Sequence, residues 1–312
     1  MSALICGALA FDTIMGFEGR FGDHILPAQI DRLSVSFHVP KMRREFGGCA
    51  GNIAYNLSLL GETSFPQCVV GHDFGAYARW LDRHGISRRF IRELDSEFTA
   101  QAFITSDSDG NQITAFHPGA MAFGEHADLP DEAEFRLGVV APDAVSAMRR
   151  AARWFVDAGV PFLFDPGQFM TDLGASQMLE FVDWAQWVTL NDYEAGLLAQ
   201  STGRSLPELS RSVSALVVTH GDAGSTVWTG GEALAIPPAK VAQALDPTGC
   251  GDAYRAGLLF GLLREMEWPV TARVASLLGA IAVESHGTQN HTADAALLAR
   301  RYEESFDTPL NL

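Results

Sequence analysis

In its second half the chain alternates short apolar runs with stretches of helical length, and that rhythm leaves few folds open. Val139-Val140 precedes a helix expected over 143–157, and Phe162-Leu163-Phe164 precedes one near 171–181. Trp187-Val188-Thr189-Leu190 precedes a helix at 192–200. Leu216-Val217-Val218-Thr219 precedes a glycine-rich turn and a strand at 224–228, and two long helical stretches follow at about 250–265 and 270–285. Apolar strands joined by helices bury both faces in a mostly parallel sheet covered on each side. Hydrophobic residues make up 47% of the 312, enough to fill such a core. We therefore expect an α/β fold.

The first half shares the rhythm only in part. Residues 3–8 read as a buried first strand. Gly47-Gly48 leads into a helix at 50–60 that stops at Gly61, followed by a strand at 65–70 and a helix at 74–84. Two segments stand apart. Residues 13–46 carry Gly16, Gly19, Gly22, Pro27 and Pro40, and residues 33–39 alternate apolar and polar like a half-exposed strand. Residues 98–118 read as a hairpin around Asp107-Ser108-Asp109-Gly110-Asn111. These segments are expected to form a small β-sheet lid on one domain spanning 1–312.

The charge balance narrows the partners. With 22 Lys+Arg against 38 Asp+Glu the net charge is −16, which argues against a nucleic-acid partner. Lys41 and Lys240 are the only lysines, so a phosphate would have to be met by backbone N–H groups, arginine or a metal ion. Cys6, Cys49, Cys68 and Cys250 form no C-x-x-C pair, and a reduced cytoplasmic setting is the simplest reading. The opening residues lack a basic leader, and the apolar run stops at Asp12. No run reaches ~20 apolar residues, so no membrane span is expected.

The stretch Asp246-Pro247-Thr248-Gly249-Cys250-Gly251-Asp252-Ala253-Tyr254-Arg255-Ala256-Gly257 carries the strongest chemical signal. Small residues opening a long apolar helix leave free N–H groups at its positive end, which suits an anion. Asp252 in the first turn does not suit an anion, but it can take a proton from a hydroxyl that attacks a bound phosphate. An ordinary helix start with an acidic first turn accounts for the same residues. Gly47-Gly48-Cys49-Ala50-Gly51-Asn52 permits close backbone approach, and Asn52 offers both donor and acceptor to a hydroxyl pair. Asp12, after the first strand, gains meaning only if that glycine turn lies beside it.

Together these features resemble the ribokinase-like (PfkB) family of carbohydrate and nucleoside kinases. Gly47–Gly61 matches one family signature, and Asp246–Leu259 matches the other with Cys250 at a usually smaller position. Asn191-Asp192-Tyr193-Glu194 resembles the N-x-x-E motif, and Thr219 to Gly224 the nucleotide-binding turn. The resemblance implies a three-layer sandwich with a mostly parallel central sheet and a β lid. It implies that Asp252 is the catalytic base and that the N–H groups of Gly249, Cys250 and Gly251 hold the developing phosphate charge. Thr219, Gly221 and Gly224 would line the ATP site. Asn191 and Glu194 would place Mg²⁺ through water, and Asp246 and Thr248 would offer carbonyls to K⁺. Asp12, Gly48 and Asn52 would bind sugar hydroxyls.

Within the family the chain resembles bacterial adenosine kinases of the mycobacterial type, through Phe17–Phe21, Ser34–Phe37, Phe116–Met121 and Gly287-Thr288-Gln289 among other stretches. That resemblance implies a homodimer joined through the lid, with Ser36 near the nucleoside, Phe116 against the base and Gln168 at its edge. Stacking a purine on an aromatic contributes about 1–3 kcal/mol. Ala8, Ala102 and Phe169 depart from the type, all around the base. The expected activity is ATP-dependent phosphorylation of the 5′-hydroxyl of a purine ribonucleoside, adenosine first. Guanosine, inosine and a free sugar are the alternatives within the enzyme class. A non-catalytic nucleoside sensor is the alternative outside it, against which the intact Asp252 and glycine turn speak.

Overall fold

The computed structural model describes residues 2–25 and 34–310. Its first part runs β1 (Ser2–Cys6), β2 (Ala10–Gly16), a single turn α1 (Phe21–His24), β3 (Lys41–Gly47), α2 (Cys49–Leu59), β4 (Thr63–Gly71), α3 (Gly75–Arg83) and β5 (Phe90–Leu94). A hairpin of β6 (Ala100–Ser106) and β7 (Gln112–His117) follows. The strand–helix rhythm then runs β8 (Leu137–Val140), α4 (Val145–Ala158), β9 (Phe162–Phe164), α5 (Ala175–Trp184), β10 (Trp187–Asn191) and α6 (Asp192–Thr202). The chain ends with α7 (Leu206–Leu209), β11 (Ala215–Thr219), β12 (Ser225–Thr229), β13 (Glu232–Ile236), α8 (Cys250–Leu263), α9 (Trp268–Val283) and α10 (Ala295–Phe306).

Nine strands form one sheet in the order β13-β12-β11-β10-β9-β8-β1-β4-β5, parallel except where β12 meets its two neighbours. Side chains alternate across it, and each face feeds a separate core. Ala3, Ile5, Val139, Leu163 and Val217 join the cluster under α2, α3, α8 and α9. Their neighbours Leu4, Cys6, Val140, Phe162, Phe164 and Val218 join the cluster under α4, α5 and α6. This is the expected three-layer α/β sandwich, and it places the strand-to-helix turns together along one edge.

The remaining strands form a second sheet in the order β3-β2-β6-β7. It takes its strands from the two segments expected to form a lid, although β2 begins at Ala10 rather than residue 13. Residues 34–39 differ from expectation: they are irregular, with no strand. Val35, Phe37 and Val39 are partly buried and the residues between them exposed, so the sequence alternation records one-sided burial without a hydrogen-bonded neighbour. Leu33 lies outside the described residues. The helix expected near 171–181 is also displaced: a 3₁₀ turn covers Gly167–Asp172, and α5 starts only after extended Gly174, whose N–H donates to Gln177 Oε1. The short edge strands β5 and β13 and the helix α10 were not foreseen.

Between β8 and α4 the chain buries an acid. Asp143 accepts the N–H of Ala144 at 2.7 Å, and burial pushes its carboxyl up to about 7, with Glu125 adding to the rise. An unfolded Asp titrates near 3.9. The folded state therefore holds a proton that the unfolded chain has released. This group's contribution to stability is highest below pH ~4, declines as pH rises, and reaches its full penalty above pH ~7. Asp143→Asn should raise the free energy of unfolding measured in urea most at pH 8, by on the order of a few kcal/mol, and progressively less toward pH 4. An equal gain at both pH values would refute the assignment.

Candidate active site

The site is assembled where β1, α2, α8 and the lid meet. At Gly48 the backbone turns with φ +85, and a Cβ there would fall 2.5 Å from the Ala8 carbonyl oxygen, so only glycine lets α2 start against the β1–β2 turn. The preceding Gly47 backs onto the Asp12 carboxylate. The glycine turn and Asp12 are thus neighbours, as the sequence argument required. Among the described residues nothing donates a hydrogen bond to Asp12. Burial, then the charges of Asp252, Glu45 and Asp246, push its carboxyl up to about 6. It is a half-buried acceptor whose donors the protein does not supply.

Helix α8 begins at Cys250 with Gly249 as its left-handed cap. Gly251 lies exposed on the first turn, and Gly249 and Cys250 are half-buried; the Cys250 N–H donates to the Pro247 carbonyl at 3.2 Å, so of the three expected donors only those of Gly249 and Gly251 are without a backbone acceptor among the described residues. Asp252 stands beside them. Asn52 Nδ2 donates to its Oδ2 at 2.7 Å, and the Cys49 thiol lies against it. Burial pushes the Asp252 carboxyl up to about 6, while Arg255, Asn52 and Cys49 hold it down and Asp165 adds to the rise. At neutral pH such a carboxylate is ionised yet basic enough to accept a proton.

Arg255 is 7% exposed and paired with Asp165 through Nε and Nη2. Its third nitrogen, Nη1, would stand 2.7 Å from a Cβ on Gly251, which is why that position admits no side chain. The guanidinium thus lies directly behind the helix start. The two partners are 90 residues apart, and no local pattern links them.

On α6, Asn191 Oδ1 accepts the Glu194 N–H while Glu194 Oε2 accepts the Asn191 N–H, both at 2.8 Å. The N-x-x-E motif is therefore also a capping box. Glu194 Oε1 makes no hydrogen bond among the described residues. Burial, followed by Asp165, raises the Glu194 carboxyl, and Arg255 opposes the rise. A buried acid with one unpartnered oxygen fits a hydrated Mg²⁺. Among the described residues no cluster of three or more His, Cys, Asp or Glu side chains could ligate a metal directly.

A cavity of about 490 Å³ runs from the Thr219–Gly224 turn to Cys250 and Gly251. Its walls are mostly apolar, with Pro238, Ala239, Val241, Ala280 and Val283. Thr219, Gly221 and Gly224 all line it, as expected of a nucleotide site, and its volume falls in the usual ligand range. His220, in the same turn, is hydrogen-bonded to Asp192 and to Thr226 Oγ1, tying the turn to the start of α6.

The lid brings the other candidates together by register. Asp12 on β2 is paired with Ala102 on β6, and Ala102 with Phe116 on β7. Paired residues share a face, so Phe116 stands two strand spacings, roughly 10 Å, from Asp12 with small Ala102 between them. Phe116 is 43% exposed. Gln168 is exposed on the 3₁₀ turn after β9, whereas its neighbour Phe169 packs on Ala8, Ala10, Ala100 and Met121. Ser36 is exposed on the irregular segment and bonded to none of the other candidates. Asp246 accepts the N–H groups of Thr248 and Gly287 and pairs with Arg43, which closes this loop on residues 285–287; Thr248 itself is exposed.

The chain is similar to several known proteins. A family model described as pfkB family carbohydrate kinase matches residues 21–295. A nucleoside kinase of Methanothermobacter thermautotrophicus is 29% identical over 306 residues, covering 96% of this chain and 94% of its own. One from Methanocaldococcus jannaschii is 27% identical over 273 residues, covering 87% and 90%. The structure of Burkholderia thailandensis nucleoside kinase in complex with inosine superposes with a TM-score of 0.90 at 40% identity, covering 98% of this chain and 99% of that one.

Proposed function

Because this chain belongs to the pfkB family of carbohydrate kinases, ATP-dependent phosphotransferases acting on alcohol groups, we propose that it is a nucleoside kinase that phosphorylates the 5′-hydroxyl of purine ribonucleosides. Adenosine and inosine head the candidate substrates. The observation that carries the reading is the row Asp12–Ala102–Phe116, which sets a carboxylate without internal donors two strands from an exposed aromatic face. A ribose needs the first and a purine the second. The inosine-bound Burkholderia thailandensis kinase supports the same class.

In this reading the 2′- and 3′-hydroxyls donate to Asp12, and the base lies over Ala102 between Phe116 and Phe169. Gln168 reaches the base edge only on closure of the lid, and Ser36 and Gly48 complete the nucleoside pocket. The nucleotide base occupies the apolar cavity, with its phosphates directed to Gly249, Cys250 and Gly251. Asp252 accepts the 5′-hydroxyl proton during an in-line transfer, and the N–H groups of Gly249 and Gly251, on either side of Cys250, face the charge that develops on the phosphoryl oxygens. Mg²⁺ would be held through water by Asn191 and Glu194 and would supply charge neutralisation on the phosphates. A K⁺ ion on the carbonyls of Asp246 and Thr248 belongs to the same reading, supported by the loop closure at Gly287.

A second copy of the chain covering the lid is also part of the reading. Strand β7 is exposed along its whole length, and Met42, Phe103 and Ile113 stand exposed on the same sheet. The test is ADP release across nucleosides and free sugars, with Phe116→Ala beside the wild type. Turnover of purine nucleosides, and a rise in their KM of about tenfold in the variant, are expected from a lost stacking contact. Turnover of ribose or a hexose with no effect of Phe116→Ala would refute the nucleoside reading.

A further inference from the structure

Four side chains form a hydrogen-bond relay that ends on Asp252. Trp80 Nε1 on α3 donates to Gln289 Oε1 at 2.8 Å. Gln289 Nε2 donates to Asn52 Oδ1 at 3.0 Å and to the Tyr77 hydroxyl at 2.6 Å. Asn52 Nδ2 donates to Asp252 Oδ2 at 2.7 Å. Gln289 is 2% exposed and Asn52 3%, so water does not substitute for these partners.

The direction of every bond follows from the first. An indole nitrogen only donates, so the Gln289 carbonyl must face Trp80 and its amide nitrogen must face Asn52. The Asn52 carbonyl must then face Gln289, which turns its own amide nitrogen to Asp252. Tyr77 closes the branch: its hydroxyl donates to the Gly47 carbonyl at 2.9 Å and so can accept from Gln289. Gly47 is the residue that backs onto Asp12. One glutamine thus supports both the base and the strand end beside the sugar acceptor.

We propose that Trp80 and Gln289 are positioning residues for the phosphoryl transfer, fixing the Asn52 amide so that Asp252 meets a donor and is held as an ionised acceptor. The proposal rests on Asp252 being the base of the kinase reaction. It also alters the expected role of Asn52, whose two polar ends are both engaged within the protein. The titratable and charged groups facing Asp252 are Arg255 and Cys250 on its own helix, Cys49 on α2, Tyr77 on α3, Asp165 beyond β9 and Asp12 on β2. Only Tyr77 belongs to the relay. A change made at Trp80 or Gln289 reaches Asp252 through Asn52 and leaves the other five in place.

The test compares Trp80→Phe and Gln289→Met with the wild type. Phenylalanine keeps the ring that stacks on Phe46 but cannot orient the glutamine. Methionine keeps the side-chain length at 289 but makes neither bond. With saturating substrates, kcat should fall about tenfold in each variant, the loss expected for one hydrogen bond to a charged group. The acid limb of the kcat–pH profile should move up by about half to one pH unit. KM for ATP should stay unchanged. The Asp252 carboxyl, followed by NMR in ¹³C-aspartate-labelled protein and assigned with Asp252→Asn, should titrate higher in both variants. An unmoved titration in both, with only a lower melting temperature, overturns the proposal and leaves a structural role. Absence of turnover in the wild type strikes at the proposed function instead, and the NMR titration still decides the relay.

Discussion

Asp252→Asn is expected to lower kcat by about three orders of magnitude, within the range general-base catalysis contributes. Nucleoside affinity should change less than about threefold, since Asp12 and the aromatic faces are untouched. Asparagine preserves the shape of the side chain and its place beside Asn52, but it cannot take the proton of the attacking hydroxyl. Steady-state rates at pH 8 and nucleoside binding by calorimetry check the two halves of the prediction. In the wild type the same carboxylate should impose an acid limb near pH 6, because burial pushes it up to about 6. Below that value the base is protonated and activity is lost. A variant that retained kcat within about tenfold would move the base elsewhere.

The second large effect concerns the buried pair behind the helix start. Arg255→Met leaves the Asp165 carboxylate buried without its partner, and breaking a pair of this kind costs about 3–5 kcal/mol. Equilibrium unfolding in urea should show that loss. The double variant Arg255→Met/Asp165→Leu removes both charges and should recover most of the stability. Its turnover should remain low, because no guanidinium stands behind Gly251 and near Asp252. Recovery of full activity together with stability would show that the pair is only a structural bridge.

Much of this molecule was legible before its fold was known. Short apolar runs at Val139-Val140, Phe162–Phe164 and Leu216–Thr219 announced parallel strands because a strand covered on both faces carries no polar alternation. Gly48 was legible because only glycine reaches φ +85 against a neighbouring carbonyl. Asp252 was legible from its place in the first turn of a helix that opens with small residues. The failures were physical as well. The alternation at 34–39 reports which side chains are buried, not whether a neighbouring strand is present. The edge strands β5 and β13 and the helix α10 lie at the periphery, where weaker patterning suffices.

The sequence by itself determined the α/β class and the glycine turns, and it marked the start of α8 and Asp252 as the candidate anion site and base, because each depends on residues adjacent in the chain. Local backbone geometry and helix periodicity act over a few positions. Only the tertiary structure decided that Asp165 neutralises Arg255 from 90 residues away, and that Trp80, Gln289 and Asn52 together orient the partner of Asp252. It also decided that Phe116 shares a row with Asp12, because strand register is set by the pairing of the whole lid sheet. Hydrogen bonds and ion pairs depend on distance in space. The residues that surround Asp252 lie on different elements, brought within bonding reach by the burial of the two cores.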